Sequence, residues 1–128
     1  MSDNQQPIVF ACTGCSNVGL MANDIALNMN RDGIAEMSCA SGVVGQVKPI
    51  VAQINSGRAI IVLDGCSCAC TKACLRECEI EPDFSLNLEA LGFEKRSEQE
   101  CCFNESCVAL KLTYEKLIEA GYTLPEKD

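Results

Sequence analysis

Two hydrophobic rhythms alternate along the chain. Residues 7–11 and 59–63 are short unbroken apolar runs, the pattern of strands buried on both faces. After the first run, Val18, Met21, Ala22, Ile25 and Met29 recur at helical spacing. Ser16 and Asn17 stand ahead of them as cap candidates, with Arg31 and Gly33 at the close. Residues 34–38 predict a weaker second strand, and residues 41–45, carrying Gly42 and Gly45, predict a flexible turn. Val47, Ile50, Val51 and Ile54 then form an apolar stripe whose Pro49 fits only the first turn of a helix. The third strand breaks at Asp64-Gly65 and leads to a helix near residues 71–78. Glu81-Pro82-Asp83 is a turn, and Phe84, Leu86 and Leu88 alternate with Ser85 and Asn87 as a half-buried strand at a sheet edge. Residues 93–102 form a charged connection. Residues 104–120 form a last helix, with Cys107, Leu110, Tyr114, Leu117 and Ile118 on one face and Gly121 ending it.

Strand, turn and helix thus follow one another three times. That order predicts an α/β fold: a single three-layer domain over residues 1–128, with a mainly parallel sheet of about four strands, Rossmann-like or flavodoxin-like. Each strand-to-helix turn carries cysteine. Cys12 and Cys15 follow the first strand and Cys39 the second; Cys66, Cys68 and Cys70 follow the third, with Cys74 and Cys78 further along its helix. In a parallel sheet these turns lie beyond the carboxyl ends of the strands, where α/β proteins bind ligands. Sulfurs far apart in sequence are therefore expected to converge.

Composition narrows what such a pocket does. The formal net charge is -8 and the pI about 4.5, which disfavours a nucleic-acid partner. No apolar run reaches the roughly 18 residues of a membrane span, and the polar start, residues 1–7, lacks the features of a signal peptide. A cytoplasmic location is expected, where clustered thiols stay reduced and more often bind metal or do redox chemistry than form structural disulfides. The chain has 11 cysteines, an odd number, and no histidine, so any metal shell is built from thiolate, carboxylate or water. A Cys-His or Ser-His pair is excluded.

Cys12 and Cys15 have the C-x2-C spacing that offers two sulfurs to one ion; Cys66, Cys70 and Cys74 fall on one helical face. The candidate metal ligands are Cys12, Cys15, Cys39, Cys66, Cys70 and Cys74, with zinc the first choice. An iron–sulfur cluster uses the same ligands, although the spacing matches neither common ferredoxin pattern. Thiol redox or sulfur or metal carriage is the other class, with Cys15 or Cys66 as the low-pKa thiol and Cys12 or Cys70 as its partner. A small tyrosine-phosphatase site is excluded, because Val18 stands where its phosphate-binding Arg is required. No general base is singled out, which argues against a hydrolase and for a structural or carrier site. Asp64 reads as a turn residue, Cys107 as a buried small hydrophobe, and Glu94-Lys95-Arg96 as solvated surface. Cys101-Cys102 reads as an exposed thiol pair or one that closes over the site.

Asp64-Gly65-Cys66, followed by Cys70 and Cys74, resembles the DGC-domain proteins of bacteria and archaea, named for that tripeptide. The likeness extends to Cys12-Thr13-Gly14-Cys15-Ser16, to Met37-Ser38-Cys39, to residues 42–45 and to Leu91-Gly92-Phe93-Glu94-Lys95, covering about residues 7–96. The resemblance implies zinc binding through chelating cysteines, carried most directly by Cys12, Cys66 and Cys70, then by Cys39, Cys15 and Cys74. Two features depart from the pattern: Cys68 stands where proline is common, and Cys101, Cys102 and Cys107 lie outside the shared region. The extra thiols leave room for a second metal or a cluster.

Overall fold

The computed structural model describes residues 6–12, 16–96 and 103–124. Four strands, β1 (Ile8–Ala11), β2 (Glu36–Met37), β3 (Ile60–Asp64) and β4 (Phe84–Asn87), pair in the order β2-β1-β3-β4, every pair parallel. The helices are α1 (Asn17–Arg31), α2 (Ala40–Val44), α3 (Lys48–Ile54), α4 (Cys70–Glu77) and α5 (Phe103–Glu119).

The period-2 geometry of β1 and β3 divides their side chains between two cores. Val9, Ile61 and Leu63 pack with Val18, Met21, Ile25 and Met29 of α1 and with Ala109 and Leu117 of α5. Ile8, Phe10, Ile60 and Val62 pack on the opposite face with Val43 of α2 and Leu75 of α4, flanked by Ile50 and Ile54 of α3. Both faces are thus covered, which is why these strands read as unbroken apolar runs. At the edge, Phe84 of β4 meets Tyr122 edge-on, centroids 5.9 Å apart.

Ser16 caps α1 by accepting from the Gly19 amide (3.1 Å), and Pro49 lies in the first turn of α3, both as expected. Four details differ from the sequence reading. Residues 41–45 are largely helix rather than a turn: α2 forms because Val43 is driven into the second core, and tertiary packing outweighs the two glycines. Gly42 is needed there, since a Cβ would lie 2.8 Å from Ile50 Cγ1 of α3. Val47 belongs to no buried stripe; it precedes α3 and is exposed. The second strand is shorter than 34–38, because the Ile34 amide is taken by the Met29 carbonyl at the end of α1 (2.9 Å). The last helix keeps part of the expected face: Leu117 is buried and Leu110 and Tyr114 pack against the first core, but Ala109 and Thr113 complete the buried stripe in place of Cys107 and Ile118, which are exposed. Ala109 and Thr113 are small enough for α5 to lie close to α1. Thr113 satisfies its hydroxyl on the Ala109 carbonyl (2.8 Å).

Candidate metal centre

The chain leaves β1 towards β2 on one side and later returns to place β3 on the other. This reversal opens a crevice at the carboxyl ends of β1 and β3, the topological switch point of a doubly wound sheet. Cys12 stands on one wall, its amide donating to the Leu63 carbonyl (3.0 Å). Cys66 stands on the other, two residues beyond β3.

Each member of Asp64-Gly65-Cys66 has its own task. Asp64 is buried, and its carboxylate accepts from the Thr71 amide (2.9 Å) and the Lys72 amide (3.2 Å). It thereby satisfies orphan donors in the first turn of α4, whose own cap residue, Ala69, makes no side-chain cap and sits in the left-handed region at φ 50°. Gly65 touches α1: a Cβ there would lie 2.5 Å from the Val18 carbonyl carbon and 2.6 Å from the Gly19 nitrogen. Cys66 then enters the crevice. Asn87 Nδ2 donates to its carbonyl (2.6 Å), and Glu89 Oε1 accepts from the next amide, Ser67 (2.7 Å), so the loop is held from the β4 side.

The thiols in this loop share one electrostatic field. The Cys68 amide, the Cys68 thiol and the charge of Lys95 hold Cys66 below the ordinary thiol range against some desolvation. Lys95 Nζ lies 3.6 Å from Cys66 Sγ, and its own pKa is raised by the thiolate. Cys70, the first residue of α4, is pushed up by desolvation and then by the negative charges of Cys12, Cys68, Cys66 and Asp64. Cys12, Cys66, Cys68 and Cys70 are therefore neighbours in charge, although only Cys12 and Cys66 are partly sheltered from solvent.

The other expected ligands stand differently. Cys39 follows β2, on the far side of β1; two strand spacings separate its strand from β3, about 10 Å. Its pKa is lowered first by the Ser41 hydroxyl, 2.8 Å away, and then by the Gly42 amide. Cys74 is half-buried one turn into α4. Cys78 caps the end of α4 and packs against the second core, its thiol 3.7 Å from the Val43 carbonyl. Cys15, Cys101 and Cys102 lie outside the described residues. Among the described residues, no three Cys, Asp or Glu side chains are grouped so as to hold a metal ion as they stand. Thiols are the donor chemistry that suits a thiophilic ion.

Sequence reasoning missed the contact of Lys95 with Cys66 and the capping task of Asp64. Glu94-Lys95-Arg96 is not simply solvated surface: Lys95 reaches Cys66, and Arg96 pairs with Glu105 of α5. Asp64 caps a helix that begins six residues later, a contact that no local motif announces. Lys95 was legible only as part of the Leu91–Lys95 likeness.

A doubly wound α/β domain with cysteines at its switch point is the class these features define. The DGC domain matches residues 8–112, and the chain belongs to that family; the match runs past the expected limit and takes in part of α5. The anaerobic and virulence modulator AnvM of Pseudomonas aeruginosa is 46% identical over 99 residues, 77% of this chain and 76% of that protein. No solved structure matches. Among the described residues, no helix is long and apolar enough to cross a membrane.

Proposed function

We propose that this chain is a thiolate metal-binding protein whose ion, zinc first, is held at the switch point by Cys12, Cys66 and Cys70, with Cys15, Cys68 and Cys74 as candidates for the fourth sulfur. The observation that carries the reading is placement: Cys12 and Cys66 follow the paired strands β1 and β3 at one sheet edge, the Cys12 amide donating to the Leu63 carbonyl (3.0 Å), and Cys70 opens α4 a few residues beyond Cys66. Thiolates so placed repel one another, and a divalent cation removes the repulsion while releasing protons. Thiols on a partly exposed loop are reachable by an exchange partner, which suits a carrier site. The related AnvM is named a modulator, and reversible occupancy of a thiolate site is a chemistry that serves modulation.

A second reading, thiol redox, is favoured by one contact: the Lys95 ammonium beside Cys66, which together with the Cys68 amide favours the nucleophilic thiolate of Cys66. Elemental analysis with an absorbance scan separates the readings. About one zinc per chain and no visible band supports the proposal. Brown protein absorbing near ~400 nm indicates an iron–sulfur cluster. Metal-free protein that cycles between dithiol and disulfide assigns the second reading.

A further inference from the structure

Residues 94–96 are held like a strap across the first turn of α1. Asn17 is completely buried, and all its hydrogen-bonding groups towards this segment are used: its amide donates to the Arg96 carbonyl (3.1 Å), Nδ2 donates to the Glu94 carbonyl (2.9 Å), and Oδ1 accepts from the Arg96 amide. Before the strap, Gly92 turns the chain in the left-handed region at φ 108°, and Phe93 packs onto the first core. After it, Arg96 is paired with Glu105 of α5. The residue between the two clasped positions is Lys95, whose ammonium meets Cys66 Sγ at 3.6 Å. A surface lysine ordinarily loses side-chain and backbone freedom when it pairs, which leaves exposed ion pairs weak. Here the backbone on both sides is already immobilised.

We propose that Lys95 is the charge-compensating residue of the thiolate centre and that Asn17 is its positioning residue, acting through the strap. The inference rests on the metal-binding reading. A divalent ion with four thiolates leaves a net charge of about -2 at the crevice. Lys95 offsets part of that charge and orients Cys66 without being a ligand. The strap also explains why an asparagine is buried as the first residue of α1, a helix that Ser16 already caps.

The test is zinc affinity of the full-length chain, measured by competition with a chromophoric chelator, for wild type, Lys95→Met, Lys95→Arg and Asn17→Ala. Lys95→Met is expected to weaken zinc binding about three- to tenfold, and the deficit shrinks in high salt. Lys95→Arg restores binding to within about twofold, because the charge is kept. Asn17→Ala weakens binding to the same degree, and adding Lys95→Met to it brings no further loss, since both act on one contact. The thermal midpoint of the metal-free protein is unchanged by Lys95→Met, which separates charge compensation from a general structural role. Zinc affinity of Lys95→Met equal to wild type overturns the inference, as does failure of Lys95→Arg to restore it. The lysine pair decides the matter even where Asn17→Ala fails to fold. A wild-type chain that binds no zinc overturns the metal reading itself, a result distinct from a wild type and a Lys95→Met that bind equally.

Discussion

The turns after β2 and β3 both release a cysteine at the same edge of the sheet, yet they are built differently. After β2, Cys39 opens α2 with no side-chain cap, and its thiol is met by the Ser41 hydroxyl and the amides of the same turn. After β3, a buried carboxylate caps α4 from a distance, a glycine touches the backbone of α1, and Cys66 faces Lys95 and a group of other cysteines. The difference follows from strand order. β3 adjoins β1 at the point where the chain reverses direction across the sheet, whereas β2 lies at the outer edge. A cysteine after a strand is common to both turns, and it is the neighbouring strand and helix terminus that turn one of them into a centre.

Glycine substitution breaks this comparison most sharply. Gly65→Ala puts a methyl against the backbone of Val18 and Gly19, atoms that cannot move alone, and should destabilise the protein by about 3 kcal/mol. Gly42→Ala places its Cβ 2.8 Å from Ile50 Cγ1, and the Ile50 side chain must shift. No backbone is struck and helix propensity within α2 is gained, so its net cost should be smaller, about 1–2 kcal/mol. Urea midpoints of the two variants measure the gap, and equal losses would show that the two turns are equally constrained.

Removal of the caps comes next. Asp64→Ala leaves the Thr71 and Lys72 amides without their acceptor and should cost about 2 kcal/mol. Ser41→Ala removes only an exposed contact to Cys39 and should cost within about 0.5 kcal/mol. Chemical denaturation gives both values, and backbone amide exchange in α4 should rise in the first variant alone.

The thiol titrations are the subtlest contrast. Both Cys39 and Cys66 have pKa values lowered in the fold, so their thiolates form at lower pH than a free cysteine. Each therefore lends stability above the ordinary thiol range, and that contribution is lost as pH falls through the folded value. The causes differ. The Ser41 hydroxyl leads at Cys39, so Ser41→Ala should move its alkylation profile to higher pH and leave Cys66 unaffected. The Cys68 amide leads at Cys66, with a contribution from the charge of Lys95, so high salt should move Cys66 upwards more than Cys39. Alkylation of metal-free protein across pH, mapped to single cysteines by mass spectrometry, reads both effects.

Much of the fold was legible because its strands are buried on both faces and α1 keeps one apolar stripe from Val18 to Met29. The edge of the buried face of α5 was not legible: Leu110, Tyr114 and Leu117 pack as expected, but small Ala109 and Thr113 complete the face while the more hydrophobic Cys107 and Ile118 stay exposed. Nor was α2, a five-residue helix held by the burial of Val43. At the site, the parallel order puts the turns that carry Cys12, Cys39 and Cys66 at the carboxyl edge, but the expected convergence does not extend to Cys39, whose strand lies two spacings from β3. Lys95 was hidden because it reaches Cys66 only through the clasp that buried Asn17 makes with residues 94–96, a contact spanning most of the chain.

Cobalt(II) titration of three full-length proteins, wild type, Cys66→Ser and Cys39→Ser, followed by the intensity of the sulfur-to-metal charge-transfer band, tests the central claim most directly. The account predicts a saturable site in wild type, nearly unchanged affinity in Cys39→Ser, and at least about tenfold weaker binding in Cys66→Ser. Equal losses in the two variants, or a Cys66→Ser protein that binds as tightly as wild type, would contradict a centre built between β1 and β3.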